Sequence, residues 1–261
     1  MSVASIVSIP GLIFHRPLRQ SRIVCAHRGF SACYPENTMA SFRAAADTGA
    51  DMVELDVRFT KDGVGVVSHD GRVNRCTNGK GKILDYTLKE LQKLDAGSWF
   101  HPDFNKEYIP TLEEVLRLCK NKMAVNIEIK ALDSSGAAGV MSVVSQTGMQ
   151  SHVIISSFDT DILSQFREYD SDVLLALLYD RRGTDGQEVV GWVEKLQLNA
   201  VHAYHWIMRN HLLERICDHE IPFQIYTVNR VNAMKRFLQR GAAGIITNHP
   251  DRLVAVLGEK L

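Results

Sequence analysis

Eight short runs rich in valine and isoleucine recur along the 261 residues, separated by stretches of helical periodicity. They cover residues 23–26, 52–57, 123–129, 153–157, 173–177, 200–203, 223–228 and 244–247. Strands that alternate with amphipathic helices form βαβ units and a parallel sheet. Eight such units predict an α/β fold, a closed (β/α)8 TIM barrel, because an open doubly wound sheet usually ends at about five to seven strands. No GxGxxG fingerprint follows the first run, which removes the main support for a dinucleotide-binding fold.

Composition narrows the setting. The 30 Lys and Arg balance 30 Asp and Glu, so nothing marks the chain as a nucleic-acid binder. The absence of a charge-free apolar run of about 18 residues predicts no membrane anchor. The five cysteines (Cys25, Cys33, Cys76, Cys119 and Cys217) form an odd set without a CxxC pair. That pattern argues against a disulfide framework or a zinc site, and predicts a reducing, cytoplasmic location. Residues 1–20 lack the charged start and cleavage site of a secretory signal and are expected to form an arm over one end of the fold.

Local signals place several helices and one interruption. Asn37 is expected to cap a helix over residues 38–48 that puts Met39, Phe42 and Ala46 on one face and stops at Gly49. Thr87 with Glu90, and Thr111 with Glu114, have capping-box spacing. The gap between the second and third runs is too long for one crossover. Within it, residues 64–68 read as a short strand reached through the Lys61-Asp62-Gly63 turn, and residues 68–109 as a small subdomain inserted into a single barrel domain. The aromatics Trp99, Phe100, Phe104 and Tyr108 are expected to form the insertion's own core, with the rim of a pocket as the competing place for them.

The carboxylates are the strongest chemical feature. Glu54 and Asp56, two apart on the second strand, share a side, and Glu128 ends the third strand with Lys130 two residues on. In a barrel these groups converge at the C-terminal mouth, where active sites lie. Carboxylates this close repel, so either their pKa values rise or a cation neutralises them, and an all-oxygen set favours Mg²⁺ or Ca²⁺. A structural salt bridge from Glu54 to Lys130 or to Arg58 is the competing reading. His27 ends the first strand and His69 the short one, so the two can act as general acid and base. Arg28 suits an anionic substrate, with a salt bridge to Glu36 as the alternative. Of the ten histidines, His152, His211 and His219 read as bland, whereas His202 and His205 end a strand where one of them can face the mouth.

Taken together, the segments His27-Arg28-Gly29, Pro35-Glu36-Asn37-Thr38, Glu54-Leu55-Asp56-Val57, Thr60-Lys61-Asp62-Gly63 and His69-Asp70 resemble the glycerophosphodiester phosphodiesterase family. Leu94 to Trp99, Ile109 to Glu114, Glu128-Ile129-Lys130 and Thr227-Val228-Asn229 continue the pattern in the family's order, over about residues 22–255. The resemblance implies metal-dependent hydrolysis of a small-molecule glycerophosphodiester to sn-glycerol 3-phosphate and an alcohol, a reaction of glycerophospholipid metabolism. It implies Glu54, Asp56 and Glu128 as ligands of one divalent cation, Mg²⁺ or Ca²⁺, and His27 and His69 as the acid/base pair. It further implies Arg28 and Lys130 as phosphate contacts, and Glu36 as the carboxylate holding His27 and Arg28 in place. Attack by the glycerol 2-hydroxyl through a cyclic phosphate and direct attack by water both fit. Lysophospholipase D action on an acylated substrate, and an inactive barrel that binds phosphate esters, are the alternatives. Tyr226 stands where the family often has tryptophan, and Ala243 and Asn248 replace acidic residues common near the last strand. Those two are expected to affect the pocket rim and not the histidines or the metal set.

Overall fold

The computed structural model describes residues 9–181, 186–206 and 210–258. Strand β1 (Ile23–His27) leads to helix α1 (Met39–Thr48), then β2 (Met52–Phe59) and β3 (Gly65–Val67). An insertion with the single-turn helix α2 (Leu88–Leu91) precedes α3 (Leu112–Cys119). The chain then alternates regularly through β4 (Ala124–Ile129), α4 (Gly136–Thr147), β5 (Val153–Ser157), α5 (Thr160–Tyr169), β6 (Leu175–Tyr179) and α6 (Gln187–Leu196). It ends with β7 (Ala200–Tyr204), α7 (Asn210–Asp218), β8 (Phe223–Tyr226), α8 (Val231–Gln239), β9 (Gly244–Thr247) and α9 (Pro250–Gly258).

The sheet runs β1-β9-β8-β7-β6-β5-β4-β2-β3, and β1 also pairs with β2, so all strands except β3 close into a parallel barrel. The eight runs read from the sequence are these parallel strands, although β6 lies two residues later than its pattern indicated. β3 is antiparallel to β2, with Val57 opposite Val67, and forms a hairpin outside the ring.

Side-chain alternation sorts each strand into two layers. Val53, Leu55 and Val57 of β2 pack outward in one cluster with Phe42 of α1 and with Val115 and Leu116 of α3. Met52 instead points inward, with Ile23, Cys25, Ala124, Ile154, Ala176, Ala200 and Ile246. Ile9 and Leu12 are buried in that inner cluster, which places the chain before β1 against the N-terminal end of the barrel. Arg16 ties the same stretch to the buried Asp51, with Nε 3.1 Å from Oδ1.

Both capping boxes form, at Thr87 with Glu90 and at Thr111 with Glu114. Gly49 ends α1 in the left-handed conformation. The cap of α1 is Thr38 and not Asn37: the Thr38 hydroxyl accepts from the Ser41 amide. Asn37 has a φ of 58° and turns its amide towards Asp56.

Between β3 and α3, Val73, Ile83, Leu91, Ala96 and Ile109 pack with Val66 of β3 in a separate small cluster. The four aromatics are absent from it. Trp99, Phe100 and Phe104 instead make a chain of edge contacts that reaches Tyr34, and the Tyr108 hydroxyl donates to Glu114. Ala243 is fully buried, and its carbonyl accepts from the Ile23 amide at the start of β1, the end of the barrel opposite any pocket rim.

Candidate active site

The C-terminal ends of β1, β2 and β4 carry the charged cluster. Register puts His27 beside Glu54 and Asp56 beside Glu128. Oxygen atoms of Glu54, Asp56 and Glu128 all lie within 4.8 Å of one another, and all three side chains are buried.

Each carboxylate has a different charge environment. Burial alone would raise the Asp56 pKa, but Arg28 and Lys130 outweigh it and hold Asp56 below the usual range. Arg28 Nε lies 3.2 Å from Asp56 Oδ2, Lys130 Nζ lies 3.0 Å from Oδ1, and the Asn37 amide donates to Oδ2 at 2.8 Å. Lys130 also pairs with Glu128, yet burial and the Asp56 charge still push Glu128 up to about 7. Burial followed by repulsion from Asp56 and Glu128 raises Glu54 well above its ordinary value. The salt bridge expected as the alternative is therefore not made by Glu54: Lys130 goes to its two neighbours, and Arg58 Nε donates to the His69 carbonyl at 2.9 Å. Three close oxygen donors without sulfur, two of them carrying raised pKa values, could hold a hard divalent cation that relieves their repulsion.

A sharp turn follows His27. Gly29 has a φ of 81°, and a Cβ there would stand 2.7 Å from the Ser41 backbone, so only glycine fits. The turn brings the Arg28 amide to the Glu54 carboxylate at 3.1 Å. Its guanidinium reaches Glu36 at 2.9 Å as well as Asp56, so the expected salt bridge coexists with a position at the mouth.

The two histidines are held differently. His27 Nδ1 lies 2.6 Å from Asn248 Oδ1, and Nε2 lies 3.9 Å from Glu54. Burial, reinforced by Arg28, lowers its pKa to about 4. His69 Nδ1 lies 2.7 Å from Asp70 Oδ1, and burial lowers its pKa although Asp56 opposes the shift. An amide oxygen and a carboxylate oxygen only accept, so in both rings Nδ1 carries the proton and Nε2 is the atom left able to accept one.

His27, Arg28, Glu54, His69, Glu128 and Lys130 line one pocket of about 180 Å³, closed on its other side by Phe158, Tyr204 and Tyr226. Tyr226, which stands where the family often has tryptophan, supplies part of that aromatic wall. Phe158 and Tyr204 carry no distinguishing signal in the sequence, because an aromatic residue ending a strand reads equally well as core. Asn248 corrects an expectation: far from lying on the rim, it orients His27. Glu36 holds Arg28 but is not the group that holds the His27 ring. Asp70 and Arg75 carry no clear signal in the sequence beyond the adjacency of Asp70 to His69. His202 is fully buried inside the barrel below this pocket, 3.4 Å from the Asn126 amide, and His205 Nδ1 lies 3.2 Å from the Tyr226 carbonyl; neither lines the pocket. His152, His211 and His219 also lie outside it.

The family model described as the glycerophosphoryl diester phosphodiesterase family matches residues 27–252. A glycerophosphodiester phosphodiesterase of Caldanaerobacter subterraneus subsp. tengcongensis is 38% identical over 238 residues, covering 89% of this chain and 96% of the relative. One from Bacillus subtilis is 32% identical over 88% of this chain and 84% of its own length. Among solved structures, a phosphodiesterase of Oleispira antarctica in complex with the product sn-glycerol-3-phosphate superposes with a TM-score of 0.82 at 26% identity, covering 90% of this chain and 96% of its own.

Proposed function

The chain belongs to the glycerophosphoryl diester phosphodiesterase family, and from that premise we propose that it hydrolyses small glycerophosphodiesters to sn-glycerol 3-phosphate and the free alcohol. The observation that carries this reading is the meeting of His27 and His69 with Arg28, Lys130 and three buried carboxylates around one pocket. Phosphodiester cleavage needs a proton removed from the nucleophile, a proton given to the leaving oxygen, and neutralisation of the charge that builds on phosphorus. His27 and His69 exchange the protons through Nε2. Arg28 and Lys130 grip the nonbridging oxygens, and Glu36 keeps the Arg28 fork in place. A divalent cation held by Glu54, Asp56 and Glu128, Mg²⁺ or Ca²⁺, supplies further charge neutralisation when bound.

Among the described residues no helix is long and apolar enough to cross a membrane. The reading favours a water-soluble diester of glycerophospholipid metabolism, and free cysteines support a cytoplasmic setting. The test is release of sn-glycerol 3-phosphate from several glycerophosphodiesters, and from lysophosphatidylcholine, with and without chelator. Release that stops with chelator and returns with Mg²⁺ or Ca²⁺ is expected. Glu128→Gln should weaken metal affinity ~10-fold or more. Full turnover in metal-free buffer would remove the metal from the reading, and activity confined to the lysophospholipid would replace the substrate.

A further inference from the structure

Arg75 lies in the insertion, outside the pocket lining, yet it is the node of a continuous ionic frame around the mouth. Its Nε donates to Asp70 Oδ2 at 2.7 Å, while Nη1 and Nη2 grip Glu36 Oε2 and Oε1 at 2.9 and 2.8 Å. The other oxygen of Asp70 holds His69 Nδ1 at 2.7 Å, and Glu36 Oε1 also accepts from Arg28 at 2.9 Å. One planar fork therefore spans two carboxylates, each of which orients a residue of the pocket. Lysine cannot reproduce that reach, because its ammonium is a point charge without fixed donor directions. Without the fork, Asp70 and Glu36 lose the cation between them, and Asp70 is free to rotate away from His69.

We propose that Arg75 is a positioning residue that locks His69, through Asp70, and Arg28, through Glu36, into one rigid arrangement. The Arg28 branch and any kinetic effect rest on the function proposed above; the His69 branch is a statement about side-chain order that stands without it. Arg75 is 44% exposed on its side chain, so solvent screens its charge and the directional hydrogen bonds carry the effect.

The experiment pairs kinetics with ¹⁵N NMR of the His69 ring in the metal-loaded full chain. In the unaltered protein His69 should be a single Nδ1–H tautomer. In Arg75→Ala that signature should give way to a tautomer mixture, with kcat on an alkyl glycerophosphodiester falling ~10- to 100-fold, the range for lost outer hydrogen-bond partners of an active site. KM should rise by a smaller factor through the Arg28 branch. Added guanidinium at millimolar concentration should recover part of the kcat of Arg75→Ala and none of that of His69→Ala. Arg75→Lys, which keeps the cation for folding, should lie between the two. An unchanged His69 tautomer in both variants, with kcat per folded molecule equal to the parent and only the melting temperature lowered, would overturn the proposal and make Arg75 a fastener of the insertion. If the unaltered protein releases no glycerol 3-phosphate, the proposed function fails, while the tautomer measurement still decides for or against Arg75.

Discussion

The two ends of the barrel are built from the same strands and have opposite chemistry. At the N-terminal end the inward positions are Cys25, Met52 and Ala124, sealed by Ile9 and Leu12. Two to four residues further along those strands the inward positions become His27, then Glu54 and Asp56, and finally Asn126 and Glu128. The floor gains from burial of apolar surface, whereas the mouth sustains the cost of burying three carboxylates at 0 to 6% exposure. Apolar packing and the charged cluster are thus separated along the barrel axis, and a strand can carry both because its inward side chains are independent choices.

The most severe test of this division is at the mouth. His27→Ala should lower kcat by about 10²- to 10⁴-fold while the melting temperature hardly moves, since the proposed mechanism gives the residue a proton to exchange and no apolar contact to seal. His69→Ala should do the same. A collapse of stability in either variant would mean that the mouth also holds the fold together.

Next in size is the converse change at the floor. Met52 is fully buried, and Met52→Ala should cost about 2–5 kcal/mol of unfolding free energy, measured by denaturant titration. Its kcat below the melting transition should match the parent. A large drop in kcat would show that the floor's packing sets the spacing of Glu54 and Asp56, and the two ends would no longer be separable.

The smallest effect lies where the insertion meets the mouth. A hydrogen bond from Arg75, joined by one from His69, holds Asp70 at about 2, against 3.8 for a free aspartate. A carboxylate with a depressed folded-state pKa contributes stability that is fully present above its unfolded pKa and is lost as pH falls through the folded value. Wild type should therefore be more stable than Asp70→Asn near pH 6, by at most about 1 kcal/mol because Asp70 is partly exposed, and the gap should close as pH falls from about 4 to 2. Thermal melts across that range check it. A gap that persists at pH 2 would assign the effect to packing and not to charge.

What was legible in the sequence had a local cause. Strand alternation has a period of two, so Glu54 and Asp56 had to share a face once β2 was recognised. The capping boxes at Thr87 and Thr111 close within three residues, and the hairpin to β3 is set by the Lys61-Asp62-Gly63 turn. The same logic misjudged Asn37: its left-handed φ of 58° is not that of an N-cap and its Nδ2 donates to the Asp56 carboxylate 19 residues away, which leaves the cap to Thr38.

By itself, then, the sequence determined the barrel, the strand ends that carry the carboxylates and histidines, and the family pattern that joins them. Only the tertiary structure decided how those groups are held: Asn248 reaches His27 across 221 residues, and Arg75 reaches Glu36 across 39. It also decided that Lys130 sits between Asp56 and Glu128, leaving Glu54 without it. Partners of that kind leave no periodic trace in the chain, because barrel closure brings β9 beside β1 and the insertion over the mouth through contacts that no local propensity encodes.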